Sequence, residues 1–338
     1  MLNDFSSPTV TYCNFSNNSA YSGGGMCNCD YSYPTVEHCV FSSNSITYYS
    51  GGGMSNVYHS NPTVVNCIFV GNSAQLGGDG GAMYNNQGSP IVTNCYFSSN
   101  SATYGGGMDN EYASNSVLTN CTFGGNSAFR GGGIHDDEYS YVAVTNCIFW
   151  GNTATYGPQV YNKAPPTFTI TYSDVQGGWT GIGNIDADPC FVEAGHWDVN
   201  GTPDDANDDF WVDGNYRLLW DSPCIDAGDS NSVPPDYADL DGDGNKIEPT
   251  PLDLDYFARF IDGDCNDSNI VDMGAYEFLH SDINHNGAVN FLDFAMFALH
   301  YWETNCGMCG GADLTCDHNV NGFDLLKFAE WWLAGSVF

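Results

Sequence analysis

The chain has 338 residues, of which 41 are Asp or Glu and only 6 are Lys or Arg, so its formal net charge is −35. This charge argues against nucleic acid and anionic membrane surfaces as partners, and it suits a cation-rich exterior in which calcium neutralises carboxylates. Hydrophobic residues make up 42% of the chain and aromatic residues 14%, which is enough apolar material for a folded core and argues against disorder.

The sequence shows neither a membrane span nor an export signal. No apolar run reaches the roughly 18 residues that a transmembrane helix needs. The first ten residues, MLNDFSSPTV, lack the basic start and apolar stretch of a signal peptide. Because the chain opens almost directly into a repeat, we expect further sequence upstream, including an export signal. The 14 cysteines fit an oxidising compartment, so we expect an extracellular or cell-surface protein.

A repeat of 26 to 28 residues occupies the first half of the chain. The clearest copy, PTVTYCNFSNNSAYSGGGM, begins at Pro8. Each copy has a cysteine, a phenylalanine two residues later, an asparagine three residues after that, and then a glycine cluster. The repeated cysteines are Cys13, Cys39, Cys67, Cys95, Cys121 and Cys147, and a degenerate seventh copy has Ser173 there. A second asparagine follows most glycine clusters, at Asn28, Asn56, Asn85, Asn110 and Asn162, with Asp136 breaking the series.

The repeat predicts a stacked all-β fold. Alternation around each cysteine, as in Thr9 to Phe15, is typical of a strand, and the glycines supply corners with positive φ. A unit this short cannot bury its own apolar face, so copies must stack about 4.8 Å apart, with Phe inside and Asn amides hydrogen-bonding between coils. The rival leucine-rich repeat would need a leucine pattern that is absent. We predict a right-handed parallel β-helix of about six to seven coils over residues 1–180.

On this interpretation the repeated cysteines are small buried hydrophobic side chains rather than metal or redox sites, although oxidation of neighbouring pairs stays open.

The pattern FSNN at 15–18 followed by GGM at 24–26 resembles the repeats of polymorphic outer membrane proteins. That family consists of surface adhesins with β-helical passenger regions. The resemblance covers roughly residues 8–160 and implies surface display, but it identifies no ligand.

Residues 161–278 hold 25 of the 41 acidic residues. Within them, DPCF at 188–191, NYRL at 215–218, SPCIDAGD at 222–229 and VDMGAYEF at 271–278 follow in order. This succession resembles the closing region of bacterial β-helix proteins of the choice-of-anchor Q type, which implies that a sorting or docking element follows. We therefore expect residues 181–278 to form a loop-rich acidic cap over the open end of the solenoid.

Two features of this cap have open interpretations. Asp239, Asp241 and Asp243 alternate in a glycine-rich loop, which suits calcium or a solvated acidic turn, and the loop from Asp198 to Asp213 is a second candidate. Cys190 and Cys224 both lie next to prolines in a loop-rich region, so we predict a disulfide between them.

The strongest spacing lies in a small C-terminal module, residues 279–338. Two twelve-residue segments, 31 residues apart, carry oxygen ligands at the positions of a calcium loop, and each is followed by an apolar helix. The first candidate ligand set is Asp282, Asn284, Asn286, the Ala288 carbonyl, Asn290 and Asp293. The second set is Asp313, Thr315, Asp317, the Asn319 carbonyl, Asn321 and Asp324. The cofactor that this spacing predicts is Ca²⁺; a duplicated acidic turn without metal is the alternative.

Two loop–helix units of this kind resemble a type I dockerin, which implies a cohesin-like partner. Dockerins recognise partners largely through loop positions 10 and 11, which are Phe291-Leu292 and Gly322-Phe323 here. His318 stands where the turn glycine is usual, which puts the second site in doubt. Cys306 and Cys309 lack the nearby ligands of a haem or zinc site, so we predict a local disulfide.

An enzymatic function has weaker support. A polysaccharide lyase needs cations, but the coils offer only Arg130, with Lys163 at their end. A glycoside hydrolase needs two carboxylates about 5–9.5 Å apart, and Glu111 and Asp137, stacked on neighbouring coils, are the candidates. The same cluster also fits calcium or sugar binding, or a solvated turn. Tyrosines before the glycine corners, Tyr48, Tyr104 and Tyr156, are either corner packing or a sugar-stacking stripe.

Three functions follow. The first is a non-catalytic surface or matrix protein for adhesion or glycan binding, attached through the dockerin-like module. The second is a subunit of an extracellular filament, because an uncapped first coil can pair with another copy of the chain. The third is a polysaccharide-active enzyme.

Overall fold

The structure is a computed structural model that describes residues 1–137, 139–163, 168–198, 210–266 and 268–335. The strands of the first half form four parallel sheets, and each strand pairs with its equivalents one coil before and one coil after it. This is a right-handed parallel β-solenoid, as the repeat predicted. In the described residues no helix is long and apolar enough to cross a membrane.

The sheets are numbered here in the order in which the first coil visits them. Sheet 1 contains Leu2–Asp4, Met26–Cys29, Met54–Val57, Met83–Asn86, Met108–Glu111, Ile134–Asp136 and Val160–Asn162. Sheet 2 contains Thr9–Thr11, Thr35–Glu37, Thr63–Val65, Ile91–Thr93, Val117–Thr119, Val142–Thr145 and Phe168–Thr171. Sheet 3 contains Asn14–Ser16, Val40–Ser42, Ile68–Val70, Tyr96–Ser98, Thr122–Gly124, Ile148–Trp150 and Asp174–Val175. Sheet 4 contains Ser19–Ala20, Ser45–Ile46, Ser73–Asp79, Ser101–Tyr104, Ser127–Arg130 and Thr153–Tyr156.

The interior of the solenoid consists of stacked identical side chains. The phenylalanine rings of successive coils lie parallel, with centroids 4.5 to 4.9 Å apart, which matches the spacing of paired strands. Five of these rings are fully buried, as are five of the repeated cysteines. The members are Phe41, Phe69, Phe97, Phe123, Phe149, Cys39, Cys67, Cys95, Cys121 and Cys147.

Two asparagine ladders link successive coils. In the first, each amide donates to the carbonyl of the next asparagine side chain, for example Asn72 to Asn100 at 3.0 Å and Asn100 to Asn126 at 2.9 Å. A second ladder runs through sheet 1, where Asn56 donates to Asn85 and Asn85 to Asn110. Both confirm the predicted coil-to-coil hydrogen bonds.

Not every corner depends on glycine. Gly105 has a φ of +62°, as the pattern predicted, and an added Cβ would meet the Met108 carbonyl at 2.2 Å. The corner before each buried cysteine also has positive φ, but there the residue is Asn or His. These corner residues are His38, Asn66, Asn94, Asn120 and Asn146. Asn tolerates the left-handed region better than other residues with a side chain, so it serves here.

Of the region predicted to cap the solenoid, the first residues lie on its last coil. Most of the described part lies along the side of the coils and covers the corner asparagines. Four of them hydrogen-bond to its backbone: Asn66 to Asp253, Asn94 to Leu252, Asn120 to Asp272 and Asn146 to Asp229. The last coil is covered by the segment that follows it, where Trp179 packs on Phe168 and Ile185 pairs with Asp174.

Secondary structure in the acidic region is sparse. Phe191–Glu193 pairs antiparallel with Asn215–Leu218, and His196–Asp198 with Phe210–Val212. A short 3₁₀ helix spans Ser230–Ser232. The C-terminal module has two α-helices, Phe291–His300 and Gly322–Glu330, and a 3₁₀ helix, Cys309–Gly311.

The disulfides differ from the prediction in one pair. Cys190 and Cys224 are both free, and the Cys224 thiol lies 3.4 Å from the Asp174 carboxylate, so the predicted bridge between them is wrong. Cys306 and Cys309 are bonded. A bridge that the sequence analysis missed joins Cys265 to Cys316 and ties the acidic region to the C-terminal module.

Candidate functional site

The first candidate calcium loop is organised around two buried aspartates. Asp282, 3% exposed, accepts hydrogen bonds from the backbone N–H groups of Asn286, at 3.1 Å, and Gly287, at 2.7 Å. Asp293 is fully buried and accepts from the N–H groups of Asn284 and Asn290. These contacts tie both ends of the loop to its backbone, so the two aspartates hold the loop closed.

The second loop repeats this arrangement position by position. Asp313 accepts from the N–H groups of Asp317 and His318, and Asp324 accepts from those of Thr315 and Asn321. His318 adopts a φ of +66°, close to the +84° of Gly287 at the equivalent position of the first loop. The replacement of glycine by histidine therefore leaves the turn intact.

A capping motif starts each helix and positions the last ligand. Asn290 and Asn321 are the N-cap residues, and the aspartate three residues later accepts from the N-cap N–H in a capping box. The helices therefore begin at Phe291 and Gly322, inside the twelve-residue loops rather than after them. Loop and helix thus form one continuous unit.

The donor set fits calcium. Every candidate ligand offers oxygen, which hard cations prefer. The first loop has two carboxylates, Asp282 and Asp293, and the second has three. Burial raises the pKa of Asp282 to about 6, with hydrogen bonds from Gly287 and Asn286 acting in the opposite direction. Buried carboxylates are normally paired or bound to metal, and a divalent cation would neutralise either loop.

The residues at loop positions 10 and 11 are on the surface. Phe291 is 75% exposed, Leu292 63% and Phe323 69%. An apolar groove runs between the two helices beside them, lined by Phe294, Leu325, Phe328 and Trp332. Large apolar side chains this exposed, close together on a small module, are typical of a contact surface.

The acidic loop at 239–243 is a hydrogen-bonded surface turn. Asp239 accepts from the Gly244 N–H at 2.9 Å, and Asp243 accepts from the Asn245 N–H at 2.6 Å. Asp241 and Asp243 are exposed, and the backbone contacts repeat those of the loop at 282–287, so a calcium site and a solvated turn both stay predictions for this loop. Most of the other candidate, the loop from Asp198 to Asp213, lies outside the described residues.

The structure gives the weak catalytic candidates different partners. Asp137 forms an ion pair with Lys163, at 2.8 Å, whereas Glu111 accepts a 2.8 Å hydrogen bond from the Tyr84 hydroxyl. On the same two strands, Asp109 lies opposite His135 and contacts its Nδ1 at 2.5 Å. Glu111 and Asp137 are therefore not an isolated acid–nucleophile pair.

The ring contacts of Tyr48, Tyr104 and Tyr156 bear on whether these tyrosines stack on sugars or pack against the protein. Tyr48 is 69% exposed and stacks on Tyr21 with centroids 5.0 Å apart. Tyr156 is 51% exposed, but Tyr104 stacks on His135, and both tyrosine rings lie 5.7 Å from the Arg130 guanidinium. The stripe therefore contains an exposed part and a packed part.

Comparison with known proteins supports the solenoid. A family model described as a right handed beta helix region matches residues 72–193. No curated protein and no solved structure matches the chain. The matched segment runs from the strand Ser73–Asp79 through the last coil to the strand Phe191–Glu193, so the chain contains a right-handed β-helix region.

Proposed function

We propose that this protein is an extracellular, non-catalytic β-helix protein that attaches to a cohesin-like partner through a calcium-dependent, dockerin-like module. The observation that supports this most strongly is the matched pair of loops. Each repeats the same aspartate-to-backbone hydrogen bonds and delivers exposed apolar residues at the start of the following helix. A duplicated loop with duplicated contact residues is what a docking module needs.

Calcium has a clear role in such a module. The backbone N–H groups of both loops already point at Asp282 and Asp313. Arg217 lies beside the first loop but pairs with Asp255, and the buried carboxylates of each loop still repel one another. Binding of Ca²⁺ would remove their repulsion and fix the N-terminus of each helix. The apolar contact surface would then be held in one geometry.

The disulfides and the net charge support the extracellular location. Two disulfides, Cys265–Cys316 and Cys306–Cys309, are typical of an oxidising compartment, and the net charge of −35 is best tolerated where calcium is abundant. The resemblance of the coils to surface adhesins and of the acidic region to choice-of-anchor Q proteins agrees with display at a cell surface. Adhesion or glycan binding is then the role of the coils.

The test uses the full chain and immobilised type I cohesin modules. Calcium should induce binding, chelator should abolish it, and Phe291→Ser should weaken it by about tenfold or more, since a buried aromatic anchor often dominates an interface. Leu299→Ser is the matched control, because Leu299 is 79% exposed at the other end of the same helix. Calcium titration without any heat or affinity change would overturn the proposal.

Self-association is a separate outcome of the same experiment. If no cohesin module binds but light scattering from the chain alone rises with calcium and falls with Phe291→Ser, the apolar surface joins copies of the chain and the filament alternative replaces cohesin docking.

Glycan binding by the coils is tested independently. The exposed rings of Tyr48 and Tyr156 offer stacking faces of the kind that sugars use. Retention on insoluble polysaccharides should fall in Tyr48→Ala and Tyr156→Ala but not in Tyr112→Ala, whose ring is 60% exposed at another corner. Equal retention of all three variants and the unmodified chain would assign these rings to packing alone.

A second candidate, polysaccharide cleavage, is favoured by one observation. The buried contact between Asp109 and His135 lies next to Glu111, which offers acid–base groups on one face of the solenoid. Reducing-end release from acidic and neutral polysaccharides, lost in Glu111→Gln, would put this candidate first. The scarcity of cationic residues in the coils argues against it.

A further inference from the structure

Three carboxylates meet on the outer face of sheet 1, away from the C-terminal module. Asp109 and Glu111 belong to the strand Met108–Glu111. Asp79 ends the seven-residue strand Ser73–Asp79 in sheet 4, whose register with the next coil shifts after Ala74. The shift places Asp79 opposite Tyr104, at the border with sheet 1. Asp79 and Asp109, which are 30 positions apart in the sequence, therefore lie together at the border between the two sheets.

These carboxylates are closer than three like charges tolerate. Asp79, Asp109 and Glu111 each offer an oxygen, and the three oxygens lie within 4.8 Å of one another. Repulsion at that distance must be relieved by protons or by a cation. The coil surface has little positive charge that could offset this repulsion. A bound cation would make the cluster a binding site, whereas protonation would leave it as a set of neutral carboxyl groups.

A second observation points to a missing ligand rather than to a simple acidic patch. Asp109 is 0% exposed; its Oδ1 contacts His135, while its Oδ2 is buried and has no hydrogen-bond partner among the described residues. The Oδ1 of Asp79 is also buried without a partner there. Buried acceptors are rarely left unpaired, so two such oxygens in one cluster indicate an unfilled position.

Neighbouring cations do not fill it. Within the described part of the chain, Arg130 makes no ion pair with the cluster; its guanidinium is 5.3 to 5.7 Å from the ring centroids of Tyr104, Phe129, Tyr156 and Tyr161. Lys163 pairs with Asp137 instead. His135 contacts Asp109 and, in the described part of the chain, forms no ion pair with Asp79 or Glu111.

We propose that Asp79, Asp109 and Glu111 form a binding site for a divalent cation, which we assign to calcium because all three ligands are carboxylate oxygens. The surrounding contacts suit an outer shell that orients these ligands. His135 holds Asp109, and the Tyr84 hydroxyl donates to Glu111 while accepting from Asn86 at 2.8 Å. This site lies on the solenoid and is independent of the two C-terminal loops.

Calcium stoichiometry of the full chain tests the proposal. Native mass spectrometry and equilibrium dialysis against millimolar Ca²⁺ should show one bound ion fewer in Glu111→Gln than in the unmodified chain, and the same loss in Asp79→Asn. Asp137→Asn is the matched control, because it removes a carboxylate from the next coil of the same face and should retain every ion. Far-UV circular dichroism establishes that each variant is folded.

The comparison is differential, so it does not depend on how many ions the C-terminal loops bind. In a chain carrying Asp282→Asn and Asp313→Asn, the further change Glu111→Gln should again remove one ion. Folded Glu111→Gln and Asp79→Asn variants that keep the full stoichiometry would overturn the site, and a loss seen equally in Asp137→Asn would reduce it to non-specific charge.

Discussion

At the residue scale, the asparagine ladder is a chain of obligatory contacts rather than a set of interchangeable polar groups. The Asn100 amide donates to the Phe69 carbonyl and to Asn126, both at 2.9 Å. Its side-chain carbonyl accepts from the backbone and side chain of Asn72. All these groups are buried away from water, so a group that loses its hydrogen bond to the Asn100 amide cannot replace it with one to solvent.

The variant Asn100→Ala should therefore lower the free energy of unfolding by about 2–5 kcal/mol, since it orphans at least two buried groups at roughly 1–3 kcal/mol each. Urea unfolding followed by circular dichroism measures this loss. Asn18→Ala is the control, because Asn18 occupies the exposed end of the same ladder and its side chain donates to Asn44 at 3.0 Å. Equal losses in the two variants would show that ladder position is irrelevant.

Asp136 is the residue-scale exception in the second ladder. It lies in register between Asn110 and Asn162, yet both its carboxylate oxygens and the Asn110 amide nitrogen lack partners among the described residues. Burial raises the pKa of Asp136 to about 7. A carboxyl with a raised folded pKa takes up protons on folding, so it reduces stability as pH rises from its unfolded value near 4 to about 7.

Asp136→Asn should remove that pH-dependent loss and complete the ladder. We expect the variant to be more stable than the unmodified chain by about 1–4 kcal/mol at pH 8, from about 1.4 kcal/mol per pH unit across the window, and nearly equal to it at pH 4. Urea titrations at both pH values measure the difference. A gain that is the same at pH 4 and pH 8 would mean that Asp136 does not change its charge.

At the element scale, the repeat predicted well because each strand is determined by its own sequence period. Cys95 and Phe97 face inward for the same reason in every coil, so one correct copy predicts six. The side on which the acidic region packs was not predictable, because it depends on contacts such as Asn94 with Leu252, 158 residues apart. Asp79 was missed for a related reason, since only the register shift in its strand brings it to Asp109.

The cysteine ladder gives an element-scale prediction with a control in the same row. In five coils the cysteine is fully buried, and the Cys39 N–H, for example, donates to the Cys67 sulfur at 3.4 Å. Cys13, at the first position of the ladder, is exposed. Native thiol labelling should modify Cys13 quickly and leave the buried five unmodified until denaturant is added. Rapid native labelling of Cys95 or Cys121 would refute the inward orientation.

At the scale of the whole molecule, the C-terminal module is fastened to the acidic region rather than suspended from a linker. Asn215 donates to the His285 carbonyl at 3.0 Å, and Arg217, which pairs with Asp255, lies beside the Gly287 turn. The Cys265–Cys316 disulfide adds a covalent tie to the second loop. The module therefore presents its apolar surface at a fixed direction relative to the solenoid.

The module and the interior of the coils should respond differently to calcium, because stacked side chains hold the coil interior without the cation proposed at Asp79, Asp109 and Glu111. If the two loops bind calcium as we propose, chelation should raise amide exchange in residues 282–293 and 313–324 by about tenfold or more and leave the ladder around Cys95 to Asn100 unchanged. Hydrogen exchange with and without chelator measures both regions in one sample. Unchanged exchange in the two loops would contradict calcium-coupled folding.

The Cys265–Cys316 disulfide should determine how much of the module unfolds when calcium is removed. In the unmodified chain the disulfide should keep the calcium-free module against the acidic region. Amide protection around Leu314 should then stay higher than in a calcium-free loop that lacks the disulfide. In Cys265→Ser, chelation should expose the whole of residues 281–335, whereas Cys306→Ser, which breaks only the local bridge to Cys309, should behave like the unmodified chain. If both variants respond alike to chelator, the Cys265–Cys316 disulfide does not restrain the module, and the contacts of Asn215 and Arg217 alone hold it in place.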